Sequence, residues 1–272
     1  MHYLHKVMQT QRRQFIKSGV GFATFLSAKG FAAPAKLRVA AASDLKFALT
    51  DLAKSFTTVT GIEIDLQFGS SGNFAQQIQQ GLPLDLFLSA DEGYVMALAK
   101  AGLTLGGVQD NGTLYATGRI ALILPKNSAI QLPKIEPEAR SNLANQFKSI
   151  RKFAIANPEH APYGRAAREA LQNLGLWEQL QSKLVLGDNI SQATQFVTSG
   201  AAQAGITALS LALAPEVAAQ SGGHWLLPAN LHAPLKQRMV LLKTAQPSAR
   251  ALFDYLQTPA AKAVLAKFGF SV

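Results

Sequence analysis

An α/β fold of parallel strand–helix–strand units is the architecture this sequence predicts, on three observations. Short runs rich in apolar and β-branched residues alternate with segments of helical periodicity, the pattern that parallel crossovers produce. The alternation comes in two sets, separated by Gly106 to Gly118, a glycine-rich stretch without periodicity that reads as a crossing between lobes. The 237 residues left after an N-terminal leader suffice for one large α/β unit or two small lobes with cores of their own.

The leader comes first. Gln11-Arg12-Arg13-Gln14-Phe15-Ile16-Lys17 resembles a twin-arginine export signal, with paired arginines ahead of a hydrophobic residue and a lysine. Ser18 to Ala28 is mildly apolar and shorter than the ~20 residues a membrane span needs. Ala33-Pro34-Ala35 reads as an A-x-A cleavage site, so residues 1–35 are expected to be a removed signal peptide and Lys36 the new terminus. The exported protein is thereby expected in the periplasm, a cargo of the twin-arginine machinery.

In the first set, Leu37 to Ala42, Ile62 to Phe68 and Leu84 to Ser89 read as strands, with helices at Leu45 to Thr57, Asn73 to Gln80 and Glu92 to Ala101. In the second, strands are expected at Arg119 to Leu124, Lys152 to Ile155, Lys183 to Leu186 and Ala204 to Thr207, with helices at Arg165 to Leu174 and Ser191 to Ser199. Arg238 to Leu242 gives one more strand, and Ser248 to Phe268 two helices broken at Pro259. The expected lobes are 36–118 with 238–272, and 119–237, each a mostly parallel sheet flanked by helices.

Composition narrows the function. Of the formal net charge of +10, five charges belong to Lys6, Arg12, Arg13, Lys17 and Lys29 of the leader. The remaining excess favours encounter with anions, and without a clustered basic stripe or interleaved aromatics it does not indicate nucleic acid. Cysteine is absent, which excludes disulfides, thiolate metal sites and a cysteine nucleophile. Only His160, His224 and His232 follow the leader, none at metal-ligand spacing, so no cofactor or metal site is expected.

Four strand-to-helix junctions carry the chemistry. A-A-A-S, 40–43, ends a strand on Ser43, a candidate N-cap; F-G-S-S-G, 68–72, places Ser71 between Ser70 and Gly72. P-E-H-A-P-Y-G, 158–164, sets Tyr163 and Gly164 before a helix, and G-D-N-I, 187–190, offers Asp188 or Asn189 as cap and the amide of Ile190 in the first turn. Helix starts leave N–H groups without intrahelical partners and carry the positive end of the dipole, so several converging in one cleft form an anion site. In parallel α/β sheets such junctions lie at the carboxyl ends of the strands, where ligands bind. Singly, each residue has an ordinary role: a serine cap stabilises by about 1 kcal/mol without any ligand. Neutral donors from Ser43, Ser71 and Tyr163 suit an oxyanion that is already deprotonated and needs no acceptor.

Those motifs, with P-L-D-L-F-L-S-A-D at 83–91, Y-L-Q-T-P-A-A at 255–261 and F-G-F at 268–270, resemble the periplasmic molybdate/tungstate-binding proteins of ABC importers, the ModA family, over essentially all of the chain after the leader. The resemblance implies a two-lobed periplasmic binding protein of type II that closes on a tetrahedral oxyanion in the interlobe cleft and presents it to a membrane permease. Carried over by position, Ser43 and Ser71 bind from the first lobe and Tyr163 and Ile190 from the second, with Asp44 and Gly72 adding backbone N–H groups. The molybdenum is bound as its oxyanion and the protein is expected to act as a monomer. Many relatives have a ligand-binding tyrosine where this chain has Ala208, so the phenol is expected to have moved to Tyr163. A sulfate- or phosphate-binding protein is the nearest alternative. A secreted serine hydrolase using Ser71, His160 and an aspartate is another, although the chain has no G-x-S-x-G, P-loop or H-E-x-x-H motif.

Overall fold

In the computed structural model, which describes residues 36–133 and 136–272, the chain forms two five-stranded sheets. The expected leader lies outside the described residues. The first sheet is entered by β1 (Leu37–Ala42), a short turn of 3-10 helix and α1 (Lys46–Thr60). It continues through β2 (Ile64–Gly69), α2 (Ser71–Gln79), β3 (Leu86–Ser89), α3 (Glu92–Lys100) and β4 (Thr113–Gly118). The second sheet takes β5 (Ile120–Pro125), α4 (Glu136–Gln146), β6 (Phe153–Ala156), α5 (Pro162–Asn173) and α6 (Trp177–Leu180). After these come β7 (Leu184–Gly187), α7 (Ile190–Thr198), β8 (Ala204–Ala208), α8 (Leu209–Ala212), α9 (Pro215–Ala218) and β9 (Ser221–Leu226). The chain then returns to the first sheet through β10 (Leu235–Leu241) and ends in α10 (Ala249–Tyr255) and α11 (Pro259–Lys267).

The strand orders are β2-β1-β3-β10-β4 and β7-β6-β8-β5-β9. In each, one strand, β10 or β5, runs against its neighbours and the others are parallel. Each lobe is therefore a mixed, mostly parallel sheet, and the fold is the expected two-lobed one. Central strands are covered on both faces and read as unbroken apolar runs: Phe153 to Ala156 and Ala204 to Ala208 are buried throughout, whereas edge strand β2 is half-buried. Two apolar clusters, one around Leu49, Leu52, Phe56 and Leu88 and one around Phe74, Phe87 and Leu98, sandwich the first sheet.

Asp85, in the P-L-D-L-F-L-S-A-D run, is a structural pin. Its carboxylate accepts from the backbone N–H of Arg38 at 2.7 Å and of Gln246 at 2.9 Å, tying β1 and the segment after β10 to the start of β3. Burial pushes its pKa up, but those N–H bonds and the side chains of Arg38 and Gln246 outweigh it and hold the carboxyl below its ordinary value.

The structure corrects the sequence reading at several places. Gly106 to Gly118 is not all crossing: it ends in β4, and the chain passes between sheets through Arg119 alone. The return strand starts at Leu235, which pairs with Gly118, so Leu235, Lys236 and Gln237 belong to the first sheet and not, as expected, to the second lobe. Helices α2 and α5 begin two and three residues earlier than read, because Ser71 and Pro162, both suited to a first turn, start them. Strand β9 and helices α4, α6, α8 and α9 were not anticipated; β9 opens Ser-Gly-Gly and three of the helices are four residues long, too short for periodicity to register.

Candidate functional site

All four predicted site residues, Ser43, Ser71, Tyr163 and Ile190, line one small, nearly closed cavity between the lobes, of about 10 Å³, together with Asp44 and Asn189. It lies where β1, β2, β6 and β7 give way to their helices, and the topology explains why. In both lobes the strands that supply the junctions are the two at one side of the sheet, β2-β1 and β7-β6, so their carboxyl ends face each other across the cleft.

The two serine hydroxyls are engaged alike. Ser43 Oγ accepts from the backbone N–H of Ser191, across the cleft, at 3.2 Å, and Ser71 Oγ accepts from the N–H of Ala90 at 3.0 Å. One of each oxygen's two lone pairs is thus occupied, and no acceptor among the described residues takes the hydroxyl hydrogen of either. Both are nearly inaccessible, so those hydrogens are donors in a dry site. The amides of Ser71, Tyr163 and Ile190 lie in the first turns of α2, α5 and α7, where no intrahelical acceptor exists. Asn189 caps α7 by accepting from Gln192 N–H at 3.1 Å, which leaves the amide of Ile190 unspent.

Tyr163 departs from expectation. Its hydroxyl donates to Asp44 Oδ2 at 2.9 Å and accepts from Gln237 Nε2 at 3.1 Å, while Gln237 also donates to Asp44 Oδ2 at 2.7 Å. Tyr115 closes the network by donating to Gln237 Oε1 at 2.7 Å. The one phenolic hydrogen is directed at a carboxylate, where a ligand oxygen was expected. Asp44 Oδ1, by contrast, is buried without a hydrogen-bond partner among the described residues. Burial drives the Asp44 carboxyl up to about 6, with Gln237, Tyr163 and the backbone N–H groups of Asp44 and Leu45 opposing it. Burial likewise holds the Tyr163 and Tyr115 phenols well above their ordinary range, so both stay protonated donors. An acidic residue thus lines the cavity beside its neutral donors.

Around the cavity the lobes are fastened by backbone. The carbonyl of His160, at the centre of P-E-H-A-P, accepts from Ser70 Oγ at 2.5 Å, Gly72 N–H at 3.0 Å and Tyr94 OH at 3.4 Å. Gly72 was expected to offer its amide to the ligand and instead spends it here. It must be glycine: a Cβ would stand 2.5 Å from the His160 oxygen. Gly118 is confined in the same way by the Tyr163 hydroxyl and Gln237 Nε2. Arg165 of α5 pairs with Asp91, donates to the hydroxyl of Tyr94 at 3.0 Å and lies against that ring. Ser191 Oγ donates to the carbonyl of Ser43 at 2.9 Å, and Ser210 Oγ to that of Asp44 at 2.8 Å.

The hydrolase constellation is not formed. His160 Nδ1 lies 3.1 Å from Ser70 Oγ, not from Ser71, whose oxygen accepts from Ala90. No group of three His, Cys, Asp or Glu among the described residues is placed to hold a metal ion, and no described helix is long and apolar enough to cross a membrane. A wider groove lined by Lys46, Phe47, Phe68 and Gln192 shares Ser43 and Asn189 with the cavity, but Ser71, Tyr163 and Ile190 line only the smaller space. Ala208 ends β8 in the buried interior, outside the cavity wall.

Sequence reasoning missed Gln237, the His160 carbonyl and the carboxylate of Asp44. Gln237 lies 193 residues from Asp44, and nothing local marks that pairing. Gly72, directly after Ser71, was the one available sign of a close backbone approach.

The profile of the bacterial extracellular solute-binding protein family matches residues 37–271. The molybdate-binding protein ModA of Azotobacter vinelandii is 36% identical over 240 residues, 88% of this chain and 90% of that one. That of Rhodobacter capsulatus is 34% identical over 268 residues, 96% and 98% of the two chains. Among solved structures, the periplasmic molybdate-binding protein of A. vinelandii superposes with a TM-score of 0.77 at 31% identity, covering 87% of this chain and 99% of the other.

Proposed function

The chain belongs to the bacterial extracellular solute-binding proteins, in the ModA family of periplasmic molybdate-binding proteins, and from that premise we propose that its interlobe cavity captures molybdate, and tungstate with it. In this reading the loaded protein acts as a monomer and hands the anion to the membrane permease of an ABC importer, after export to the periplasm by the twin-arginine route.

One observation carries the site assignment: the hydroxyl hydrogens of Ser43 and Ser71 are left without acceptors among the described residues, in a buried space that also receives first-turn amides from both lobes. In this proposal Ser43 and Ser71 donate hydroxyl hydrogens, while Tyr163 and Ile190 donate backbone N–H. Each hydrogen bond to a charged ligand contributes ~1.5 to 3 kcal/mol. Four or five of them give about 6 to 15 kcal/mol gross, and the upper part of that range, less the several kcal/mol that association and closure cost, reaches micromolar binding. The protein touches only the oxygens of the anion, so no side chain ligates molybdenum.

A second reading, a sulfate- or phosphate-type oxyanion, is favoured by one feature: the Asp44 carboxylate is an acceptor suited to a protonated anion such as hydrogen phosphate. Calorimetric titration of the purified protein with molybdate, tungstate, sulfate and phosphate tests both. Molybdate and tungstate should bind at least a hundredfold more tightly than the others; a preference for phosphate would replace the first reading by the second.

A further inference from the structure

The least expected group at the cavity is Asp44, a carboxyl that is 1% exposed and whose two oxygens are unlike. Oδ2 accepts two hydrogen bonds, from Tyr163 and Gln237, and the tyrosine bond crosses the cleft. Oδ1 accepts none and is buried in the residue that lines the anion cavity. The titratable groups facing Asp44 are Tyr163 from α5 and Tyr115 from β4; Gln237 from β10 and Ser210 from α8 are neutral. No lysine, arginine or histidine among the described residues bonds to it, so a negative charge there is met only by Tyr163, Gln237 and the backbone N–H groups of Asp44 and Leu45.

An oxyanion entering this cavity meets either a carboxylate, which repels it at short range in a poorly solvating interior, or a carboxylic acid, which can donate to it. The hydrogen bonds already present decide where a proton goes. Oδ2 is filled by two donors, so a proton has room only on Oδ1. Resting on the oxyanion reading above, we propose that the anion binds together with one proton, carried on Asp44 Oδ1, which donates a hydrogen bond to a ligand oxygen. The balance is simple: the carboxylate, one proton from solvent and the dianion give a neutral acid hydrogen-bonded to the dianion, and no other bond changes. With the lobes closed, burial alone raises the carboxyl to about 6, and a nearby dianion raises it further.

The test is calorimetry with molybdate, and with sulfate as a second anion that carries no proton at neutral pH, at pH 7 to 9 in buffers of different ionisation enthalpy. The wild-type protein should take up about one proton per anion, and its affinity should fall up to about tenfold for each pH unit. Asp44→Asn, which places an amide donor where the acid hydrogen stood, should take up no proton, titrate with a pH-independent affinity and bind more tightly than wild type at pH 9. Tight wild-type binding without proton uptake overturns the proposal and leaves the oxyanion reading standing; this measurement does not depend on the variant folding. Undiminished uptake in Asp44→Asn also overturns it, by moving the proton elsewhere. If no anion binds at any pH, the oxyanion reading and the proposal fall together.

Discussion

The two lobes share a strand order and differ in how they finish the helix starts that face each other. At equivalent places, after β1 and β2 in the first lobe and after β6 and β7 in the second, the chain turns into a helix at the cavity. The first lobe puts serine there, with both hydroxyl hydrogens unspent. The second lobe spends its polar side chains on itself or on its partner: Asn189 caps its own helix, and Tyr163 reaches across to Asp44. Topology decides where donors converge; side chains decide which lobe holds the anion by hydroxyl and which by backbone alone.

The hydroxyls are the strongest test of that difference. Ser71→Ala should weaken molybdate binding by ~1.5 to 3 kcal/mol, about ten- to over a hundredfold, and Ser43→Ala by a similar amount. Unliganded Ser71→Ala should lose ~1 to 3 kcal/mol in chemical unfolding, for the Ala90 amide it leaves without an acceptor. An unchanged affinity in both serine variants would erase the distinction between the lobes.

Closure itself comes next. In Gly72→Ala the new methyl meets the His160 carbonyl only when the lobes touch, so overpacking of ~1 to 3 kcal/mol should fall on the closed state. Affinity should drop roughly five- to a hundredfold while unliganded melting stays near wild type. A parallel fall in melting temperature would mean that the contact persists without ligand.

Tyr163→Phe should cost less than tenfold in affinity, because the hydroxyl serves Asp44 and not the anion, a loss of ~1 kcal/mol. Its signature is a pH effect. Removing a donor to the charged form moves the Asp44 pKa further above about 6. An acid whose pKa is raised on folding stabilises the fold fully below its unfolded value and loses that contribution as pH rises through the folded one. With its lobes closed, the wild type should therefore lose stability between about pH 4 and 6 on this group's account, and Tyr163→Phe over a window extending higher. Thermal melting across pH 4 to 8 measures both.

Smallest in binding is Asn189→Ala. Loss of the cap should destabilise the second lobe by ~1 kcal/mol, read by urea unfolding. Molybdate affinity should stay within about threefold, because the Ile190 amide remains in place.

How much of this was legible in the sequence follows from the distances involved. The strands, the helices of the βαβ units and the junctions at Ser43, Ser71, Tyr163 and Ile190 are local patterns, and the cavity assembles from all four. Edge strands β4 and β9 escaped because Thr113 to Gly118 and Ser221 to Leu226 carry glycine and lack the apolar continuity of strands covered on both faces. The network at Asp44 escaped because its members come from β1's exit, β4, α5 and β10, and register alone unites them. Reading Asp44 as a backbone donor overlooked what its side chain does in a dry place.

The His160 carbonyl, finally, receives three donors from the opposite lobe through an atom that every amino acid possesses. Drift at position 160 leaves that contact in being, whereas at 72 any departure from glycine collides with it. A lineage comparison would register the constraint on one side of the seam only, and the partner that imposes it would pass for a freely varying loop.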